Sequence, residues 1–211
     1  MKGTDLFTPG GMLRALVLGL GILAGPGLMA TDNDMSNSLL IDDFSQADGV
    51  SALGTRWEGF TDQVMGGLSD MQVGYRDDGA GGRALHMRGK VRLENRGGFI
   101  QARLPLDAGG GAFDARAWGG LRVRVRGMPG PYYLHLRTSQ NWMPWQYFRA
   151  PIEVGADWSE QFVPFDAFEG RSTWRGLDTA ALKSVAVVAY GEAFDAELEL
   201  ARIEFAAPRT H

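Results

Sequence analysis

The stretch Gly120-Leu-Arg-Val-Arg-Val-Arg-Gly127 alternates apolar and basic residues without a break. In an extended chain Leu121, Val123 and Val125 fall on one face and Arg122, Arg124 and Arg126 on the other, whereas a helix would scatter both sets around its axis. The same two-residue period recurs outward in both directions. Leu85, Met87, Gly89, Val91 and Leu93 alternate with His86, Arg88, Lys90 and Arg92, and Tyr132, Leu134 and Leu136 alternate with Tyr133, His135 and Arg137. Val185–Tyr190 is apolar throughout, the pattern of a central strand covered on both faces. Further strands are predicted over Leu39–Phe44, Phe99–Leu104, Trp145–Ala150, Glu160–Pro164 and Glu197–Phe205, with a short helical turn near Asp178–Lys183. Gly, Asp and Pro clusters such as Asp77–Gly82, Gly109–Gly111 and Met128–Pro131 punctuate them as turns. About ten short strands at this spacing predict an all-β sandwich or jelly roll. It occupies one domain, residues 39–207.

Composition agrees and excludes several functions. The 211 residues suffice for one well-formed core, and the 30 glycines, 6 tryptophans and 11 phenylalanines suit many turns and short aromatic-rich strands. A formal net charge of −4 lacks the basic excess of a nucleic-acid binder. The absence of cysteine removes disulfides, thiolate metal sites and cysteine nucleophiles. Ahead of the domain, Arg14 precedes an apolar and glycine run, Ala15–Ala24, that ends at Gly25-Pro-Gly27. This pattern predicts a signal peptide over residues 1–30 and an exported, periplasmic or envelope protein, followed by a polar linker over 31–38. The alternative is an N-terminal leader that stays as a membrane anchor. The run falls short of the ~20 apolar residues of a stable membrane span.

Two constellations stand out as binding candidates. In Asp62-Gln-Val-Met-Gly-Gly-Leu-Ser69, the Gly66-Gly67 pair permits positive φ and close backbone approach, and Asp62 and Ser69 can accept or donate within the loop. Two readings stay open: a rigid loop presenting Met65 and Asp62 to a partner, or a turn closing the sandwich with Val64 and Met65 in the core. Trp142, Met143, Pro144, Trp145, Tyr147 and Phe148 form an aromatic cluster that is either core or a stacking and hot-spot surface, with Trp142 the most exposed. The outward rows Arg122/Arg124/Arg126, Tyr133/His135/Arg137 and His86/Arg88/Lys90/Arg92 form one basic face if their strands are neighbours; the favoured reading has the arginines paired with Glu197, Glu199 and Glu204. No metal set, cofactor motif or catalytic pair is expected. His86, His135 and His211 lack metal-like spacing, no lysine follows the Gly66-Gly67 pair as a phosphate loop requires, and Ser69 sits in no nucleophile elbow.

Trp57 together with Asp62–Ser69 resembles the signature of the complex I intermediate-associated protein 30 family. Gly97-Gly-Phe99, then Gly120–Gly127, then Tyr132–Thr138 ending in Leu-Arg-Thr, then Trp158 and Val163-Pro-Phe-Asp-Ala-Phe168, follow in the family's order and extend the resemblance over about Ile41–Phe205. Where the family often carries Gly-Asp-Gly after the central strand, this chain has Gly127-Met-Pro-Gly130. The resemblance implies a galactose-binding-domain-like jelly-roll β-sandwich and a non-catalytic, chaperone-like role in assembling respiratory complex I (NADH:ubiquinone oxidoreductase). The expected partner is then a membrane-complex subunit or assembly intermediate, with no cofactor and no nucleic acid. The alternative is a carbohydrate-binding module-like protein of the cell envelope. Trp57, Asp62, Met65, Gly66, Gly67, Ser69, Gly97, Gly98, Phe99, Arg137, Trp142 and Trp145 are the candidate family-motif or partner-binding residues.

Overall fold

In the computed structural model residues 38–207 are described; the predicted leader lies outside them. The chain runs through β1 (Ser38–Asp42), β2 (Glu58–Thr61), β3 (Asp70–Asp77), β4 (Arg83–Val91), β5 (Phe99–Pro105) and β6 (Gly120–Gly127). It continues through β7 (Tyr132–Thr138), β8 (Tyr147–Ile152), β9 (Ser159–Pro164), β10 (Glu169–Arg171), β11 (Leu182–Tyr190) and β12 (Phe194–Ala206). The described residues contain no α-helix, only short 3-10 turns, one of which, Thr179–Ala181, is the turn expected there. None of these is long and apolar enough to cross a membrane.

The strands pair into two antiparallel sheets. Sheet I has the order β3-β4-β12-β6-β9, with β1 also pairing β12; sheet II has the order β10-β8-β7-β11-β5-β2. The 13 residues of β12 are long enough to serve two partners on one side, β4 along Phe194–Leu200 and β1 along Ile203–Ala206. Alternation supplies the core directly. Leu85, Met87, Leu121, Val123, Val125, Leu198 and Leu200 of sheet I are buried with Ile100, Leu104, Leu134, Leu136, Phe148, Val185 and Val187 of sheet II in one cluster. At one end Phe205 stacks on Phe113 at 5.0 Å and on Trp118 at 5.5 Å, closing that edge with aromatic surface. β11 is central in sheet II and buried on both faces: Ala186 and Val188, on the outer face, lie between longer side chains of β7 and β5.

Three edge strands, β2, β3 and β10, are not predicted from the sequence. β3 alternates Met71, Val73 and Tyr75 with Gln72, Gly74 and Arg76, but it is an edge strand paired by β4 alone and is exposed along nearly its whole length. β2 and β10 are edge strands of four and three residues, too short to carry a period. β8 begins at Tyr147 rather than at Trp145. A turn intervenes, in which the Gln146 amide donates to the Met143 carbonyl at 3.0 Å and the Met143 amide to Gln146 Oε1 at 3.1 Å, leaving Trp145 in a loop.

Candidate functional site

The outward-facing rows do not make one face. Arg122/Arg124/Arg126 and His86/Arg88/Lys90 lie outside sheet I, and Tyr133/His135/Arg137 outside sheet II. This corrects the single basic face, because strand order places a core between the rows. The favoured reading, arginines paired with glutamates, holds for Arg122 and Arg126, whereas Arg124 meets Asp78 at 3.5 Å and Arg88 meets Gln72. Arg122 Nη1 meets Glu204 Oε1 at 2.9 Å, Arg126 Nη2 meets Glu199 Oε2 at 2.9 Å, and Arg76 donates to both Glu199 and Glu197. Burial alone would raise the Glu199 carboxyl, but the Arg126 and Arg76 hydrogen bonds outweigh it and hold the group below the usual carboxylate range.

Asp62–Ser69 proves to be a joint between the sheets. After β2, Asp62–Met65 forms a 3-10 turn capped by Gly66 in the left-handed region, φ +88°. The fully buried Asp62 carboxylate accepts from the Ser69 amide at 3.0 Å, the Ser69 hydroxyl at 2.5 Å, and the amides of Gly98 at 2.6 Å and Phe99 at 3.3 Å. Ser69 Oγ in turn accepts from the Arg92 amide at 2.9 Å. One carboxylate therefore ties the β3–β4 hairpin of sheet I to the start of β5 in sheet II. Burial pushes its ionisation up, and these donors more than reverse that, leaving it lowered. Two glycines make room: a Cβ on Gly67 would sit 2.3 Å from the Asp62 carboxyl, and one on Gly97 would sit 2.6 Å from Asp62 Oδ2. Gly98, whose amide makes the shortest of the backbone contacts, takes φ +129°. Trp57 is a second buried fixture, its indole N–H donating to Asp42 Oδ2 at 2.9 Å. The motif's apolar side chains Val64, Met65 and Leu68 project outward, so neither open reading holds whole: Asp62 is not presented, and Val64 and Met65 are not core.

Trp142 and Trp145 lie at the opposite end of sheet II, beyond Thr138 of β7, whereas Asp62–Ser69 adjoins Phe99 of β5. A seven-residue strand separates the two, about 20 Å at ~3.3 Å per residue, so they do not form one surface. Their end carries the most exposed aromatic surface among the described residues. Trp142 is 85% exposed, Met143 47%, Trp145 55% and, in the neighbouring loop, Trp174 90%. The two loops are cross-tied: Gln146 Nε2 donates to the Ser172 carbonyl at 3.2 Å, Gln140 Nε2 to Asp178 Oδ2 at 2.9 Å, and Arg175 Nη1 to Gln140 Oε1 at 3.3 Å. Arg137 pins the first loop from the sheet, its Nη2 donating to the carbonyls of Asn141 and Met143, each at 3.0 Å. Sequence reasoning singled out Trp142, Trp145 and Arg137 but not Trp174, whose place beside them depends on β10 pairing with β8.

The outer face of sheet II carries a second group that sequence reasoning did not assemble. His135 stacks on Tyr147 at 4.2 Å, and the Arg149 guanidinium lies 4.7 Å from the Tyr133 ring centre and 5.3 Å from that of Tyr190. Register explains it, since Arg149 is directly opposite His135 across β7 and β8, and Tyr133 pairs with Val188 two residues from Tyr190. Burial and the Arg149 charge push His135 down to about 3, so it is neutral near pH 7. Of five buried side-chain nitrogens without a hydrogen-bond partner among the described residues, four belong to this face: Arg103 Nε, His135 Nε2, Arg137 Nε and Arg171 Nε.

Residues 43–192 match the family of Complex I intermediate-associated protein 30. The chain belongs to this family. Its joint, Asp62–Ser69 with Gly97–Phe99, falls within the match. No curated protein matches the chain in sequence. Among solved structures it is similar to the family 11 carbohydrate-binding module of the cellulosomal cellulase Lic26A-Cel5E of Clostridium thermocellum, with TM-score 0.61 and 14% identity over 82% of this chain and 98% of that one. The Clostridium thermocellum family 11 module in complex with a β-1,3-1,4-mixed-linked tetrasaccharide gives 0.60 and 12% over 82% and 98%. A family 30 carbohydrate-binding module gives 0.50 and 13% over 67% and 76%. At such identities the likeness is one of fold, a jelly-roll sandwich.

Proposed function

We propose that the chain is a non-catalytic, chaperone-like binding protein of the kind that assists assembly of respiratory complex I, and that it grips a protein partner at the rim formed by Trp142, Met143, Trp145 and Trp174. The observation that carries this reading is the exposure of four large apolar side chains on two loops that hydrogen bonds hold together. Pre-organised aromatics of this sort lose little entropy on binding and are typical centres of protein recognition. A non-catalytic role is supported by the carboxylates with lowered ionisation, Asp62 and Glu199, each buried in hydrogen bonds to protein donors rather than facing an open cleft. With it we propose that the partner lies on the exported side of the membrane, a reading supported by Arg14 and the apolar run Ala15–Ala24.

The test is capture of crosslinked partners from the native host by the purified chain, compared with its Trp142→Ala and Trp174→Ala variants. Each substitution is expected to weaken capture about tenfold or more, while urea unfolding stays within about 0.5 kcal/mol of the parent because neither residue is packed. Undiminished capture by both variants would overturn the reading.

Carbohydrate binding has one observation in its favour, the cluster of Tyr133, Tyr147 and Tyr190 on a sheet face of a carbohydrate-module fold. Tyr147 spends a face on His135, and Tyr133 and Tyr190 spend theirs on Arg149, however, which leaves less of them to stack on a sugar. Retention on a glycan array, lost in Tyr133→Ala, would reverse the order of the two readings.

A further inference from the structure

Beside the tryptophan rim, a depression of about 280 Å³ opens between β5, β7 and β11, lined by Arg103, Arg137, Lys183, Ser139, Asn141 and Ser184 among others. Three cations meet there and no carboxylate lines the depression. Their terminal nitrogens are held, but mostly by groups that position charge without cancelling it. Arg137 Nη2 donates to two carbonyls, and Lys183 Nζ donates to the carbonyls of Gly110 at 2.5 Å and Gly111 at 2.8 Å. Only Arg103 meets a carboxylate, Glu58 of edge strand β2, at 2.9 Å. The Nε atoms of Arg103 and Arg137 are both buried without partners. Burial, reinforced by the Arg103 charge, lowers the ionisation of Arg137 from its usual value, as expected where cations are crowded with too few anions. On sheet I the opposite solution is built in, with Glu199 and Glu204 each serving two arginines.

We propose that this pocket is an oxyanion subsite that takes a carboxylate of the bound ligand. A guanidinium pair with an ammonium and the hydroxyls of Ser139 and Ser184 supplies the donors that carboxylates need. A phosphate site usually adds backbone amides at a helix N-terminus, and the described residues form no α-helix. The site adds to the partner reading and does not require it: a carboxylate can come from an acidic side chain of a protein segment or from an acidic sugar.

The experiment is an NMR titration of the full chain with sodium glutarate, sodium glucuronate or inorganic phosphate, each against sodium chloride at matched ionic strength. Glutarate is expected to give saturable shifts at the amides of Ser139, Asn141, Lys183 and Ser184. Lys183→Gln is expected to weaken that binding at least fivefold, while Arg126→Gln, which removes a paired cation on the other face, leaves it unchanged. Tighter binding of glucuronate than of glutarate, at the same amides, supports the subsite and assigns its ligand to the sugar source. The proposal is overturned if chloride reproduces the shifts, if phosphate binds more tightly than either carboxylate, or if Lys183→Gln changes nothing. The parent titration needs no variant to fold and no partner, so its outcome is separable from that of the tryptophan capture.

Discussion

On the outer face of sheet I, Arg76, Arg122, Arg126 and Arg202 each reach a glutamate of β12, and the glutamates reached by Arg122 and Arg126 are buried. On the outer face of sheet II, Arg137 and Lys183 rest on carbonyls and Arg149 on tyrosine rings. Both faces grow from the same alternating pattern of apolar and basic residues. The difference lies in the neighbouring strand: β12 brings acidic residues opposite β6, whereas β11 brings Ser184, Ala186 and Val188 opposite β7 and β5. A neutralised ladder stabilises the sandwich and offers little to a ligand. A face with small residues between uncompensated cations leaves both room and charge for one.

The largest effect is expected at the joint between the faces. Asp62→Ala strips the acceptor from donors on both sheets and should cost about 3–5 kcal/mol in urea unfolding, since buried donors left unpaired lose their full desolvation cost. A loss under 1 kcal/mol would mean that the two sheets do not depend on this tie. Next comes Arg122→Ala, which leaves the buried Glu204 with Arg202 as its remaining partner and should cost about 3 kcal/mol. An equal cost for Lys183→Gln on sheet II would erase the contrast between the faces.

The smallest and most discriminating effect is in pH. The folded chain refuses a proton at His135 until about pH 3, while the unfolded chain accepts one near its ordinary value of 6.5. Stability therefore falls as pH drops below 6.5, by about 2 kcal/mol between pH 7 and pH 5. Asp62 and Glu199, both lowered, contribute stability that is present above their ordinary values of 3.8 and 4.5 and is lost as pH falls through their folded values. Acid unfolding should thus show sheet II's histidine first and the carboxylates of the joint and sheet I later. His135→Gln should flatten the pH 7 to 5 window without touching the lower one; an unchanged slope would place the titrating group elsewhere.

How much of this was legible depended on burial. β4, β6, β7 and β12 were readable because each has a buried face that forces apolar residues into a two-residue period, and β11 because burial on both faces makes it apolar throughout. The short edges β2 and β10 carry no such constraint, and edge strand β3 shows the period in Met71, Val73 and Tyr75 but buries little of it. Asp62, Gly66-Gly67, Ser69 and Gly97-Gly98 were visible as a motif, yet their purpose was not, because the partner of Asp62 lies 36 residues away at Gly98. Trp142 was correctly expected to be exposed, while Trp145 left its strand because of a turn that no period announces.

Sequence alone determined the class of fold, the inward and outward sides of the alternating strands β4, β6 and β7, and the family, since these rest on local alternation and ordered motifs. Which outward rows share a face was decided only by tertiary structure. Local patterning says which way an arginine points, but its charge is cancelled or left open by a strand that arrives from far along the chain.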